Sequence, residues 1–201
     1  QTAGRGRRGR PWQHRPGNLA ASLCLRPGAG EPAHQLSLVA GVALDDALSA
    51  WVPANRLMLK WPNDLLLDDA KLAGILVERA GAAVILGFGV NLSHHPDDLD
   101  PPSTSVAAAG LSPPPSPAQV LAALREAMAL WRDRWRREGL EPVRARFLAR
   151  AHPLGTRLIA RLADGSAIPG RFEGLAADGA LNLRLDNGII RAIHAADVFA
   201  I

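Results

Sequence analysis

Residues 71–91 read Lys71-Leu72-Ala73-Gly74-Ile75-Leu76-Val77-Glu78-Arg79-Ala80-Gly81-Ala82-Ala83-Val84-Ile85-Leu86-Gly87-Phe88-Gly89-Val90-Asn91. Two apolar runs around one glycine read as a hairpin of central strands. Small residues interrupt both runs, Ala73 and Gly74 in the first and Gly87 and Gly89 in the second. Gly74 admits two readings, a bulge or a place where a ligand lies on the strand backbone. Upstream, Asn18 to Leu25 alternates in the manner of a strand. Leu57 to Trp61 is a short strand stopped by Pro62, and Leu65 to Leu67 is another apolar run.

Helices separate and follow these strands, so the fold class is α+β, a mixed or antiparallel sheet packed with helices. Ala33 to Trp51 carries apolar residues at helical spacing and predicts an amphipathic helix ending before Pro53. His94 to Pro117 holds seven prolines and predicts a surface loop with at most one helical turn. Pro117 to Arg137 predicts a helix with Val120, Leu121, Leu124, Met128, Trp131 and Trp135 on one stripe, and Leu140 to Ala151 a second. After Pro153-Leu154-Gly155 the pattern turns to short strands separated by Asp164-Gly165, Asp178-Gly179 and Asp186-Asn187-Gly188, pairs that accept positive φ in hairpins. Two units follow: residues 1–152, and residues 153–201 as a small β-barrel.

The composition, 48% hydrophobic and 21% charged over 201 residues, is that of a globular chain. No apolar run reaches the ~18–20 residues needed to cross a bilayer, so no membrane role is expected. The chain begins at Gln1, not methionine, and is expected to start part-way through a longer protein. Cys24 is the single cysteine. It fits a reducing compartment and, lying in an alternating apolar stretch, reads as a buried small hydrophobe.

Only two of the 23 basic residues are lysines, Lys60 and Lys71. A compact ammonium is thus kept at two places, while arginine supplies charge elsewhere. Lys60 opens Lys60-Trp61-Pro62-Asn63-Asp64, where a strand ends and presents an amide and a carboxylate. That set could hold a nucleotide, with the lysine on a phosphate and Asp64 on Mg²⁺ or a ribose hydroxyl; the alternative is a turn chosen for its backbone alone. Lys71 stands at the start of a buried strand, with its stem covered and its head directed to a cleft. Gly4-Arg5-Gly6-Arg7-Arg8-Gly9 matches a dinucleotide fingerprint in letters only, because no long helix can open at Arg10-Pro11. Two readings stay open for it, an anion-binding catalytic loop or an arginine-glycine nucleic-acid segment. His94 and His95 have no partners at zinc-ligand spacing.

Taken in order, Gln1 to Trp12, Lys60 to Asp64, Lys71 to Glu78 and Gly87 to Asn91 resemble the catalytic region of the biotin–protein ligase (biotin–[acetyl-CoA-carboxylase] ligase) family. The resemblance implies a catalytic domain like that of class II aminoacyl-tRNA synthetases, followed by an SH3-like β-barrel. It implies ATP and biotin as substrates, Mg²⁺, biotinyl-5′-AMP as intermediate, and transfer to a lysine of the biotin carboxyl carrier protein of acetyl-CoA carboxylase. It also implies a cytoplasmic location and allows a homodimer. Residue by residue, Lys71 and Arg7 are the expected catalytic groups. Gln1, Arg5, Gly6, Arg7, Lys71 and Gly74 are expected on biotin; Trp12, Lys60, Asn63, Asp64 and Asn91 on the nucleotide; and Asp64 on Mg²⁺. The family carries a Ser/Thr-rich strand and helix upstream of the glycine-arginine loop, so the 201-residue chain is expected to bind biotin poorly. A nucleic-acid partner is expected only if an upstream domain binds DNA. A lipoate–protein ligase of the same fold class is the nearest alternative, and a nucleic-acid-binding module using the arginine loop is the alternative from another class.

Overall fold

The computed structural model describes residues 3–28, 31–99 and 101–200. A short ribbon comes first, β1 (Gly4–Arg5) paired antiparallel with β2 (Pro11–Trp12). Then come β3 (Leu19–Leu25), α1 (Leu36–Leu48), β4 (Leu57–Lys60), β5 (Asp64–Leu67), β6 (Ala70–Ala80) and β7 (Ala83–Val90). The helices α2 (Pro117–Glu138) and α3 (Glu141–Leu148) follow, and the chain finishes with β8 (Arg157–Arg161), β9 (Ala167–Leu175), β10 (Leu181–Arg184), β11 (Ile190–Ile193) and β12 (Asp197–Ala200).

The hairpin read around Gly81 is the centre of an antiparallel sheet in the order β3-β7-β6-β5-β4. Successive side chains of a strand point to opposite faces. On one face Leu86, Phe88 and Val90 of β7 lie beside Ala73 and Ile75 of β6, all buried under the helices. α1 is the middle layer, touching β4, β5 and β6 on one side and α2 and α3 on the other. It is therefore not the amphipathic helix expected from its spacing: Leu36, Val39, Val42, Ala43, Leu44 and Leu48 are all fully covered, and so is Asp45. Asp45 tolerates burial because Arg146 of α3 donates to it at 2.8 Å and Arg150 stands at 3.5 Å. Burial still pushes its carboxyl above the usual range, against the pull of the two arginines. α2 keeps the expected stripe except for Leu121, which faces solvent; Trp131 donates to Asp46 at 2.6 Å and Trp135 to Gln35 at 2.9 Å.

The second sheet runs β11-β10-β9-β8-β12. Its Leu158, Phe172, Leu181 and Val198 join the same apolar cluster as Leu59 of β4 and Trp61 just after it. Two further expectations change. Cys24 is exposed, because its register with Ile85 turns it, like Ser22, to the face the helices do not cover. The proline-rich segment is more than a surface loop: Lys71 N donates to the Pro102 carbonyl at 2.9 Å, Thr104 N to the Lys71 carbonyl at 3.0 Å and Val106 N to the Asn91 carbonyl at 3.1 Å. Ser105 and Val106 are buried there.

Candidate active site

The uncovered face of the first sheet is built from small residues by register. One row across five strands reads Lys60, Asp64, Gly74, Gly89, Ala20. The next reads Leu76, Gly87, Ser22. A cavity of about 640 Å³ stands over this face.

Lys71 reaches the same face through an irregularity of β6. Leu66 pairs with Lys71 and Leu65 with Ala73, so Leu72 is an extra residue in the ladder. A bulge of this kind re-aims the side chains next to it. Without it Lys71 would share the side of Ala73 and Ile75, under the helices. With it, Leu72 is fully buried and Lys71 Nζ lies 2.8 Å from Asp64 Oδ1. The bulge falls at Leu72 and not at Gly74, which leaves close approach as the role of Gly74. A methyl group there would stand 3.4 Å from Lys71 Cε and 3.3 Å from the Trp12 ring.

The glycine-arginine segment forms the ribbon β1–β2, closed by Gly6 N donating to the Arg10 carbonyl at 2.7 Å. It lies over the cavity. Trp12 rests on the glycine floor so closely that a Cβ at Gly89 would be 2.3 Å from its indole. Lys71 Nζ stands 5.8 Å from the centre of that ring, a cation over a π face. Arg7 Nη1 donates to Asn63 Oδ1 at 3.3 Å, to the Ala196 carbonyl at 3.0 Å and to Asp197 Oδ1 at 3.1 Å. Its burial lowers the guanidinium's pKa, against the pull of Asp197 and Asp64. Arg5 lines the cavity and makes no ion pair among the described residues.

The strand end Lys60-Trp61-Pro62-Asn63-Asp64 divides its labour. Trp61 is buried and donates to the Gly179 carbonyl at 3.0 Å, which fixes this strand end to the second sheet. Asn63 Nδ2 donates to the Ile75 carbonyl at 2.7 Å, and Ile75 N returns a bond to the Asn63 carbonyl at 2.9 Å, so the amide braces β6 while receiving Arg7. Lys60 Nζ sits 5.1 Å from the Phe199 ring centre. Burial lowers its pKa, Asp64 opposes the fall and Lys71 adds to it.

Of the expected site residues, Arg5, Gly6, Arg7, Trp12, Lys60, Asn63, Asp64, Lys71 and Gly74 all line one cavity. Asn91 is buried at the end of β7, where its N–H bonds the Leu72 carbonyl at 3.0 Å, and it does not line that cavity. Gln1 lies outside the described residues. Sequence reasoning missed Ser22, Asp197 and Phe199, which also line the wall. The alternation of β3 could have pointed to Ser22, but no local signal marks Asp197. It also missed Asn18, whose Oδ1 accepts the N–H groups of Leu92, Ser93 and His94 at 3.0 Å each and so clamps the turn that leaves β7. As for Mg²⁺, no group of three metal-ligating side chains forms among the described residues. A magnesium ion that arrives on a nucleotide needs only one or two carboxylates besides the phosphates. Asp64 could serve as one, in competition with Lys71.

Comparison with known proteins agrees with this geometry. Residues 1–92 match the biotin/lipoate A/B protein ligase family and residues 154–200 the biotin protein ligase C-terminal domain. The biotin–[acetyl-CoA-carboxylase] ligase of Paracoccus denitrificans is 44% identical over 99% of this chain and 87% of its own length. The chain belongs to the biotin–protein ligase family. A second biotin–[acetyl-CoA-carboxylase] ligase, from Mycobacterium tuberculosis, is 34% identical over 98% of this chain and 75% of that relative. Among solved structures, the biotin protein ligase from Aquifex aeolicus in complex with biotin and ATP superposes with a TM-score of 0.89 at 25% identity, covering all of this chain and 86% of that one. In this family member the open sheet face, the ribbon and the strand end Lys60–Asp64 surround one cavity.

Proposed function

We infer that this chain is a ligase that activates biotin with ATP to biotinyl-5′-AMP and transfers biotin to a lysine of the carrier protein of acetyl-CoA carboxylase. The observation that carries the reading is the placement of Lys71. The bulge at Leu72 brings its ammonium to the edge of the glycine floor, beside Asp64 and under the arginine ribbon. When a carboxylate attacks the α-phosphate of ATP, negative charge grows on the phosphate oxygens and pyrophosphate leaves. When an amine attacks the mixed anhydride, charge grows on the acyl oxygen and AMP leaves. A fixed cation aimed where charge develops lowers both barriers.

The proposed roles follow from place. Lys71 meets the biotin carboxylate and α-phosphate together, and Arg7 supplies a second cation. Arg5, Gly6 and Gly74 border the biotin, and Gln1 is proposed there on the resemblance alone. The flat floor of Gly74 and Gly89 suits a ligand laid on backbone, once Trp12 has left it to stack on the nucleotide. Lys60 holds phosphate, Asn63 orients Arg7 and the strand end, and Asn91 supports the nucleotide side through the turn that Asn18 clamps. Mg²⁺ would arrive with ATP and take Asp64 as its protein ligand. The catalytic unit is proposed as residues 1–152 and the C-terminal unit as 153–201, a division supported by the change of sheet between α3 and β8. No helix among the described residues is long and apolar enough to cross a membrane. The single cysteine supports a cytoplasmic assignment.

The test is incubation of the full-length protein with radiolabelled ATP, biotin and carrier protein, comparing the natural form with Lys71→Arg. Adenylate should form in the first and fall sharply in the second, because a planar fork cannot replace a point charge at this site. Normal adenylate formation by Lys71→Arg would refute the role given to Lys71.

A further inference from the structure

We propose that Asp197, the first residue of β12 in the C-terminal sheet, is a positioning residue that latches the glycine-arginine ribbon over the cavity. The proposal deepens the ligase reading and rests on it. The side chain of Asp197 is only 15% exposed, and it gathers three cations from four successive residues. Arg7 Nη1 lies 3.1 Å from Oδ1, while Arg10 Nη2 at 3.1 Å and Arg8 Nη1 at 3.5 Å share Oδ2. No other acidic side chain among the described residues pairs with these arginines.

The ribbon needs such an anchor. Three like charges within four residues repel one another. Arg8 also sits in the left-handed region at φ 55, a conformation that a non-glycine residue keeps only where its surroundings hold it. One partly buried carboxylate offsets both effects. It also orients Arg7, because Asp197, Ala196 and Asn63 all accept from Nη1. Nε and Nη2 keep no acceptor among the described residues and remain for an anionic group in the cavity. Two residues along the same strand, Phe199 stands 5.1 Å from Lys60 Nζ and 4.7 Å from the Arg161 guanidinium. The C-terminal sheet therefore supplies one wall of the site and the latch of its roof.

Asp197 touches no reacting atom in this scheme. It acts through the ribbon, and the ribbon keeps water from a reactive acyl-adenylate. Its loss should show as leakage of the intermediate more than as failure to form it.

The experiment compares the full-length natural protein with Asp197→Asn and Asp197→Glu in two assays. Without substrates, limited trypsin digestion reports exposure of the bonds after Arg7, Arg8 and Arg10. In a single turnover, the share of biotinyl-5′-AMP lost to water is measured against the share passed to the carrier lysine. Asp197→Asn should speed cleavage and raise the lost share at least roughly ten-fold, because it takes the charge from three contacts and ten-fold is the effect of weakening even one. Asp197→Glu should restore most of both. Unchanged cleavage, or faster cleavage with an unchanged lost share, overturns the proposal. If Asp197→Asn does not fold, Arg10→Gln breaks one link from the exposed side of the ribbon and should speed cleavage after Arg7 and Arg8; no change there overturns the latch. The trypsin arm needs neither biotin nor ATP. A full-length natural protein that protects its ribbon but makes no adenylate would therefore sink the ligase reading while leaving the latch standing.

Discussion

The two faces of the first sheet are made by the same strands and do opposite work. On β7, Val84, Leu86, Phe88 and Val90 are buried against helices, while Ile85, Gly87 and Gly89 alternate with them toward the cavity. On β6, Ala73 and Ile75 are buried while Gly74 and Leu76 alternate with them on the open face, although Ile75, like Phe88 of β7, also borders the cavity. The covered face carries bulk because burying apolar surface drives folding. The open face gives bulk up so that a planar ring can lie on the backbone, as Trp12 does in this structure. A period of two lets one strand meet both demands, and stability and function are therefore expected to separate by parity of position.

That separation can be broken on purpose. The largest effect is expected on the covered face: Phe88→Ala should cost about 3–5 kcal/mol of stability, read in urea unfolding, with adenylate formation per folded molecule little changed. A loss of activity without a loss of stability would reverse the assignment of faces. At the edge of the open face, Lys71→Ala should slow adenylate formation about 10²–10³-fold, the range for removing one preorganised charge donor, with a nearly unchanged melting temperature. Gly89→Ala places a methyl group on the Trp12 indole. Overpacking of this kind costs about 1–3 kcal/mol, and here it should appear as weaker biotin binding by calorimetry and as a ribbon more open to trypsin. The double change Gly89→Ala with Trp12→Ala should remove the clash with the ribbon and keep the weaker biotin binding. If biotin binding also recovers fully, the floor is not where biotin lies.

The smallest effect concerns pH. The Lys60 ammonium is held below its ordinary value, chiefly by burial, so the folded protein releases that proton before the unfolded chain does. Between the lowered value and about 10.4 the unfolded chain binds more protons, and stability from this group rises with pH. The charge proposed to hold phosphate is lost over the same window. The KM for ATP should therefore climb at a lower pH than an ordinary lysine would produce, and Lys60→Arg should flatten that climb.

Much of this was legible in the chain. The β6–β7 hairpin follows from two apolar runs about Gly81, and α2 from a stripe of five large side chains between Val120 and Trp135 that stay buried. The cavity residues were legible as chemistry, since two lysines in a chain otherwise furnished with arginine both came to its wall. Cys24 was misread because alternation tells that two faces differ, not which one a helix covers. α1 was misread as amphipathic because spacing marks one face, and nothing local says that a second layer of helices will close over the other. The proline-rich segment hid its bonds to Lys71 and Asn91 because non-local backbone pairing leaves no trace in composition.

By itself, the sequence determined the strands, the helices, the paucity of side chains at Gly74, Gly87 and Gly89, and the family. The first three depend on residues within a few positions of one another, where periodicity and turn chemistry act, and the family on four short motifs taken in order along the chain. Only the tertiary structure decided that a bulge at Leu72 turns Lys71 out of the core, that Trp12 lies on Gly89, and that Asp197 meets arginines 187 to 190 positions away. Each of these depends on register and on the meeting of distant segments, which are set by how whole faces bury one another.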